Sequence, residues 1–245
     1  MTNVVGLKTA RFPRRHEPIL SHNQESERIS AAQKIYEILR SRIVKLDLKP
    51  GALISKRDIA TEFNISQTPV REALVLLEEE GLVDIFPQSR TQVSYVDIQS
   101  AREAHFLRRS VEVEISKELV LKISAVQIIE LRSLIELQKI NFDEGNLKAF
   151  AISDNEFHQR MYQMADVTGL YDLLNTRRAH LDRLRNLHLP QKGKASAILS
   201  EHSAIVDSLE KRDPAAAEAA VRNHLKGTVS ATEELRAHFP EYFAV

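Results

Sequence analysis

Residues 48–94 constrain the fold of this chain more than any other segment. The segment opens with the turn signal Pro50-Gly51, after which Ser55 can cap a short helix. Ser66 can cap a second helix, because the apolar residues behind it repeat at the i, i+3, i+4, i+7 spacing of one helix face. These apolar residues are Val70, Ala73, Leu74 and Leu77.

A hairpin is predicted directly after the second helix. Gly81 is typical of a helix C-terminus, and residues 82–86 and 91–94 have the composition of two short strands around a polar turn. A helix, a tight turn, a second helix and a hairpin together predict a winged helix-turn-helix. In such a module the second helix enters the major groove of DNA.

Three polar residues at the start of the second helix lie opposite its apolar face. Arg71 can pair with guanine, Gln67 with adenine, and Thr68 with a phosphate or a thymine methyl group. The alternative is a surface helix with ordinary polar residues. The turn, the preceding helix and the hairpin favour DNA binding over that alternative.

This segment resembles the N-terminal domain of the GntR family of bacterial transcription regulators. The matching positions are Pro50-Gly51, Leu53, Arg57, Ile59-Ala60, Ser66, residues 68–74, Leu77, residues 80–83 and Val93. The resemblance implies that the wing touches the minor groove and that five residues face DNA, namely Arg57, Ser66, Gln67, Thr68 and Arg71.

Two positions depart from the family pattern. Many members carry Arg at the position of Gln67, so a different base preference is expected here. The wing usually carries Gly at the position of Arg90. The substitution implies either a different turn or an arginine that itself reaches into the minor groove.

The amino-acid composition of the chain limits which classes of protein it can belong to. The 34 Lys and Arg residues balance 34 Asp and Glu, so affinity for DNA must come from a few well-placed cations and from dimerisation. The absence of Cys excludes disulfides and thiolate metal sites. The N-terminus lacks the apolar core of a signal peptide, and no run is long enough to span a membrane. We therefore expect a cytoplasmic protein that does not bind membranes.

Periodicity divides the chain into three regions and predicts a mainly α fold. Residues 1–29 lack periodicity and are predicted to be a flexible N-terminal arm, with an inert tail favoured over a DNA-contacting one. Residues 30–95 form the predicted winged helix-turn-helix domain. Residues 96–245 are predicted to form an antiparallel, all-helical domain for effector binding and dimerisation. Its helices are expected at residues 97–122, 125–143, 147–165, 168–189, 194–211 and 214–238.

Four residues of the predicted bundle can share a ligand. Asp154 and His158 are four residues apart and so lie on one helix face. His202 and His224 each lie 11 residues from Asp213, where the chain turns, which places both about 16 Å from that turn in an antiparallel pair. Three imidazoles and a carboxylate suit a divalent metal, zinc first, with nickel, manganese, iron and cobalt as alternatives. By spacing and residue type alone, four ordinary structural residues are an equal alternative.

Residues 107–116, 154–165 and 201–225 resemble the C-terminal ligand-binding domain of FadR-type GntR regulators, the FCD domain. The resemblance implies a divalent metal on all four positions just described, with a small carboxylate effector completing its coordination. It also implies that Arg108, on the first helix of the domain, holds the effector carboxylate. The alternative for Arg108 is an ordinary ion pair with Glu112, four residues further on.

These predictions indicate a transcription regulator, such as a repressor, and not an enzyme. It is expected to bind a palindromic operator as a homodimer and to respond to a small organic or sugar acid. One rival is a metal-dependent enzyme fused to a DNA-binding domain, but the nearby Glu156 faces away from the four ligands and no other general base is evident. Another rival is a regulator that binds long acyl-CoA without metal, which the intact set of four ligands disfavours.

Overall fold

The computed structural model describes residues 30–244, so the predicted arm at residues 1–29 lies outside the described residues. The elements of the N-terminal module are α1 (Ala31–Val44), α2 (Lys56–Glu62), α3 (Gln67–Glu79), β1 (Val83–Phe86) and β2 (Arg90–Val93). The remaining helices are α4 (Ile98–Lys122), α5 (Ala125–Asp143), α6 (Leu147–Met164), α7 (Thr168–Asn175), α8 (Ala179–His188), α9 (Lys194–Glu210), α10 (Pro214–Ser230) and α11 (Thr232–His238).

The N-terminal module is a winged helix-turn-helix, as predicted. The apolar stripes of α1 and α3 bury against each other, and Leu39, Ile43 and Leu74 are almost completely shielded from solvent. The Ser55 side chain caps α2 by accepting a hydrogen bond from the Asp58 backbone N–H at 3.2 Å. Strands β1 and β2 pair in antiparallel register to form the wing.

The C-terminal part is an all-helical bundle, which confirms the predicted fold class. Helix α5 packs on α6, and α10 packs on both α4 and α9. Phe157, Met161 and Tyr162 from α6 occupy the centre of the bundle core, together with apolar residues of α4, α9 and α10. One face of α6 is therefore buried along its length, and this face also carries Asp154 and His158.

Two of the expected helices are each split in two. The segment predicted at residues 168–189 breaks after Asn175, whose carbonyl accepts a hydrogen bond from the Arg40 guanidinium at 2.6 Å. The segment predicted at residues 214–238 breaks at Ala231, where the buried Thr232 hydroxyl donates to the Val229 carbonyl at 2.8 Å. Both predictions of a single helix were wrong, and neither break carries a Gly or Pro that would have signalled it in the sequence.

Helix α8 joins the helical bundle to the winged module within one compact unit that begins at Ala31. His180 accepts a hydrogen bond from the Asp97 backbone N–H at 3.0 Å and contacts the Gly81 carbonyl at 3.1 Å through its other ring nitrogen. The fully buried Arg183 donates to the Ser94 carbonyl at 2.7 Å. The turn that ends α3, the DNA-recognition helix of the winged module, and the linker after the wing are therefore both held by α8.

Candidate metal centre and nucleic-acid interface

The start of α3 presents the residues expected to face DNA. Gln67, Thr68 and Arg71 are exposed, while Val70 and Leu74 on the opposite face are completely buried. Among the described residues, the Arg71 guanidinium has no ion-pair partner, so it can bind a base or a phosphate without breaking an internal contact.

Two further predicted DNA-contacting residues lie next to this helix. Ser66 precedes α3 and is exposed, and its hydroxyl makes no capping hydrogen bond, so it is free to meet a phosphate. Arg57 is exposed in the first turn of α2, and no ion pair engages its guanidinium within residues 30–244. All five helix-turn-helix residues that were predicted to face DNA are thus exposed to solvent.

The wing tip differs from the family pattern in a specific way. Gln88, and not Arg90, adopts the left-handed backbone conformation of the turn, with φ of 57°. Arg90 begins β2 opposite Phe86, and its guanidinium lies 4.5 Å above the Phe86 ring. This cation–π contact holds an exposed Arg at the tip of the wing.

The structure brings Asp154, His158, His202 and His224 together in the bundle core. Helix α6 carries the first two, α9 carries His202 and α10 carries His224. One ligand atom from each residue lies within 4.8 Å of all the others, and all four residues are buried. The His202 and His224 side chains meet as their equal distance from the turn at Asp213 predicts.

The three imidazoles converge through their Nε2 atoms. The Nε2 atom of His224 lies 3.1 Å from that of His158 and 3.3 Å from that of His202. Two imidazole nitrogens bound to one tetrahedral zinc ion at about 2.0–2.1 Å lie about 3.3 Å apart, and slightly closer in octahedral sites. The spacing of the nitrogens therefore fits a single metal ion.

Partners behind the imidazoles fix the direction of their lone pairs. The Nδ1–H of His202 donates to the Gln138 amide oxygen at 2.8 Å, and the Nδ1–H of His224 donates to the Glu201 carboxylate at 3.0 Å. The Gln138 amide is oriented by its own donation to the Ser153 carbonyl. Because Nδ1 carries the proton in both rings, each Nε2 directs a lone pair towards the centre.

His158 is oriented less tightly than the other two rings. Its Nδ1 atom lies 3.0 Å from a carboxylate oxygen of Glu112, at an angle too oblique for a well-formed hydrogen bond. The position of the acid still favours a proton on Nδ1 and leaves Nε2 free to act as a ligand.

Burial sets the protonation states required for metal binding. It lowers the pKa of His158 and His202 well below the ordinary value and lowers that of His224 to about 3. Burial opposes ionisation of Asp154, yet the Arg185 guanidinium and the imidazoles hold its pKa below the ordinary value. The cluster therefore offers three neutral nitrogens and one carboxylate, which is the form that binds metal.

The two carboxylate oxygens of Asp154 have different contacts. Oδ2 forms an ion pair with Arg185 of α8, while Oδ1 has no hydrogen-bond partner among the described residues. Oδ1 lies 3.7 Å from the His202 Nε2 atom. A buried carboxylate oxygen without a partner is costly, and a cation at the centre would satisfy it.

Arg108 lies beside this cluster on α4 and is buried. Its Nε atom donates to Glu112 at 2.7 Å, so the ordinary ion pair weighed in the sequence analysis is present. Its Nη2 atom has no partner within the described part of the chain. Arg108, Asp154 and His224 share the wall of a small cavity of about 30 Å³. Part of the guanidinium is thus paired, and part remains available to an anion in that cavity.

Several residues of the centre were not found from the sequence. Gln138 and Glu201 orient imidazoles, Arg185 binds Asp154, and Lys194 lines the same small cavity. Glu201 directly precedes His202, which is a weak signal. The other three come from helices whose packing against the centre has no signature in the sequence.

Two family models match this chain. The model for bacterial regulatory proteins of the gntR family matches residues 31–93, and the FCD domain model matches residues 103–227. The chain is 34% identical to an uncharacterized HTH-type transcriptional regulator in an unstable DNA locus of Streptomyces ambofaciens, over 86% of this chain and 88% of that protein. It is 30% identical to the HTH-type transcriptional repressor RspR of Escherichia coli (strain K12), over 86% of this chain and 93% of RspR.

The fold agrees with a solved structure. E. coli McbR/YncC superposes with a TM-score of 0.70 at 16% identity, covering 86% of this chain and 99% of that one. None of the helices described between residues 30 and 244 is long and apolar enough to cross a membrane. The family models and relatives are those of transcriptional regulators and not of enzymes. This chain therefore belongs to the GntR family of bacterial transcriptional regulators, with an N-terminal helix-turn-helix DNA-binding domain and a C-terminal FCD domain.

Proposed function

We propose that this regulator binds its operator DNA under the control of a small organic or sugar acid, which docks at a divalent metal ion in the FCD domain. In this proposal residues 30–95 bind DNA, residues 96–245 bind the effector and dimerise, and the protein acts as a repressor in the cytoplasm. A homodimer on a palindromic operator is expected, because one small module rarely binds DNA tightly enough alone.

The convergence of three imidazole lone pairs carries the metal assignment. Nε2 lone pairs 3.1 and 3.3 Å apart repel one another unless a proton or a cation lies between them. Protons are disfavoured, because burial lowers the pKa of each ring. Zinc fits the mixed nitrogen and oxygen ligands best, with nickel, manganese, iron or cobalt as alternatives.

Arg108 supports the carboxylate assignment. A metal on these ligands supplies a Lewis-acidic position that binds a carboxylate oxygen. Arg108 lines the same small cavity, and its unpartnered Nη2 can hold the second oxygen of that carboxylate. The residues of this chain thus orient the effector, and the Arg108–Glu112 pair holds the guanidinium in place.

Helix α8 provides a route from the effector to the DNA-binding module. Arg185 binds Asp154, a candidate ligand, on one side of α8. On the same helix, His180 and Arg183 contact the end of α3 and the linker after the wing. An effector that shifts Arg185 therefore changes the balance between orientations of the recognition helices, which is how regulators of this kind control DNA binding.

Elemental analysis tests the metal assignment. We expect purified protein to carry one divalent metal ion per chain, and His202→Ala and His224→Ala to lose it, since each removes a nitrogen ligand. Both variants and chelated wild type should melt at a lower temperature, because the metal binds only the folded state and clamps three helices. Added metal should restore the chelated wild type.

The exposed His238 provides a matched control. His238→Ala should keep both the metal and the melting temperature, because the contacts of its ring are local, with the Glu234 carbonyl of its own helix and the adjacent Phe239 ring. Equal metal content in wild type and in the two ligand variants would exclude these histidines as ligands. Metal-free wild-type protein whose operator binding still responds to a carboxylate would exclude the metal-dependent mechanism.

A further inference from the structure

A larger cavity of about 370 Å³ lies beside the metal centre. Its walls are mostly apolar and come from α1, α6, α8, α9 and α10 and the turn after α8. The residues that shape its apolar interior are Val44, Leu147, Phe150, Ala151, Leu189 and Ile198. This volume falls in the range of cavities that bind small molecules. We call it the apolar chamber.

The apolar chamber adjoins the small polar cavity at the metal centre. Both cavities are lined by Asp154, Arg185 and Lys194, and also by Ile198 and Thr228. The ion pair between Arg185 and Asp154 therefore lies on the boundary between the two. A ligand with its head in the polar cavity has its body directed into the apolar chamber.

Lys194 provides a positive charge at the boundary between the two cavities, where it can contact the head group of a ligand. Its ammonium makes no hydrogen bond or ion pair within residues 30–244, and it borders both cavities. Lys194 is partly buried, and this burial lowers the pKa of its ammonium group. Arg185, by contrast, is already paired with Asp154 and Asp182. Of the lysine and arginine residues that line the small polar cavity, Lys194 and Arg108, through its Nη2 atom, thus have unused capacity for an anion.

We propose that the effector of this protein is an amphipathic monocarboxylate, with its carboxylate between the metal ligands, Arg108 and Lys194 and its apolar body in the apolar chamber. The inference rests on the proposed function and adds the chemical class of the effector to it. A small hydroxy acid or a dicarboxylate leaves the apolar chamber unfilled, whereas a hydrocarbon or aromatic body removes its walls from water.

The apolar body also contacts the DNA-binding module in this proposal. Val44 and Lys45 follow the core of α1 and form one wall of the chamber. This wall is held by the Asn186 side chain of α8, which donates to the Val44 carbonyl at 2.8 Å. A ligand that fills the chamber therefore contacts both modules at once and can alter how α1 packs on α8.

A series of straight-chain carboxylates tests the inference. Zinc-loaded full-length protein is titrated calorimetrically with acetate, butyrate and hexanoate, and with succinate as the polar comparison. Each methylene buried in the chamber should tighten binding about fourfold, from about 0.8 kcal/mol per CH₂. Hexanoate should therefore bind at least tenfold more tightly than acetate and more tightly than succinate.

A substitution that fills the chamber provides the structural control. Ala151→Trp occupies the space needed by the apolar body, so it should remove the gain with chain length while acetate still binds. Ala151→Leu fills the chamber only partly, so affinity should still rise with chain length, but less than in wild type. This smaller substitution keeps the test informative if Ala151→Trp does not fold. Ala197→Trp places the same side chain at an exposed position on α9 and should behave as wild type.

The outcomes separate this inference from the proposed function. Acetate binding with no gain for hexanoate, or tighter binding of succinate, would overturn the inference and leave the metal-dependent function intact. A gain with chain length that persists in Ala151→Trp would place the apolar body elsewhere and also overturn it. Protein that binds neither zinc nor acetate would overturn the proposed function, and the inference with it.

Discussion

Each histidine of the candidate metal centre is oriented by a different element. Gln138 of α5 holds His202, Glu201 of α9 holds His224, and Glu112 of α4 lies behind His158. Removing one of these partners would free a ring to rotate without removing a ligand. The geometry of the three imidazoles therefore depends on five helices, although only three of them carry ligands.

Arg108 provides the first prediction at the scale of single residues. Arg108→Gln keeps a donor near Glu112 but removes the charge and the unpartnered Nη2. We expect zinc-loaded Arg108→Gln to retain metal and to bind acetate at least tenfold more weakly, since a charge-assisted hydrogen bond contributes about 1.5–3 kcal/mol. Calorimetric titration measures this change.

Arg108→Ala is the harsher comparison. It leaves the buried Glu112 carboxylate without its partner, and loss of one partner of a buried pair costs about 3–5 kcal/mol. Arg108→Ala should therefore melt well below Arg108→Gln. Wild-type affinity for acetate in Arg108→Gln would remove Arg108 from the effector site.

Arg71 provides a second prediction, which concerns DNA. Arg71→Ala should weaken operator binding by about 1–3 kcal/mol and relax base preference at one position if its guanidinium pairs with a base. The melting temperature should not change, because Arg71 is exposed and unpaired among the described residues. Arg102→Ala, at an exposed Arg of α4, is the control. Competition assays with single-base operator variants distinguish a base contact from a phosphate contact, which would weaken all sequences alike.

The four candidate metal ligands that the sequence predicted share one property, which is a fixed spacing along the chain. His202 and His224 could be paired because helical rise converts residue number into height along an antiparallel pair. Gln138, Arg185 and Lys194 could not be assigned in this way, because their approach depends on the rotation of α5, α8 and α9 about their own axes. That rotation is set by packing of the whole core.

At the scale of elements, α8 has more roles than its length suggests. Its ten residues include Arg185 at the metal centre, His180 and Arg183 at the winged module, and Asn186 at the end of α1. The sequence predicted a longer helix through residues 168–189. The break that creates α8 could not be predicted, because residues 175–179 contain no Gly or Pro and the group that binds the Asn175 carbonyl, Arg40, is 135 residues away.

The end of the recognition helix was predictable from Gly81 and provides the third prediction. Gly81 has φ of 70°, and the Leu82 N–H donates to the Leu77 carbonyl, which completes a Schellman motif with both leucines buried. Gly81→Ala forces a Cβ into the left-handed region and should destabilise the protein by about 1–2 kcal/mol. It should also disturb the carbonyl that His180 contacts.

Gly169 is the matched control for this substitution. It lies in the first turn of α7, is exposed, and has open space where a Cβ would be added. Gly169→Ala should therefore stabilise the protein by about 0.5–1 kcal/mol, because alanine favours the helix. Urea denaturation of the two variants should give opposite signs. A neutral or stabilising Gly81→Ala would contradict the Schellman assignment.

At the scale of the whole molecule, the described residues form one compact unit rather than two loosely joined domains. Contacts that cross from the winged module to the helices include the Arg40 hydrogen bond to Asn175 and the contacts that α8 makes through His180, Arg183 and Asn186. An effector in the bundle can thus act on the DNA-binding module through direct packing.

His180 lies within this junction and makes the stability of the whole molecule depend on pH. Burial lowers its pKa from 6.5 to about 4. Below pH 6.5 the unfolded chain therefore binds a proton that the folded protein does not, so stability is lost as pH falls from about 6.5 towards 4. At about 1.4 kcal/mol per pH unit, the loss of unfolding free energy that is due to His180 reaches roughly 3 kcal/mol near pH 4.

His180→Gln separates the contribution of His180 to the pH dependence of stability from the contributions of the other buried histidines. Glutamine lacks the proton-linked change, so the variant should be less stable than wild type at pH 7.5 but lose stability more slowly between pH 6.5 and 4. The exposed His238→Gln should reproduce the wild-type slope. The measurement is urea denaturation of zinc-loaded protein at several pH values, each variant compared with wild type in the same buffer. Parallel curves for wild type and His180→Gln would mean that His180 takes up a proton in the folded protein as readily as in the unfolded chain, which its burial between Gly81 and Asp97 opposes.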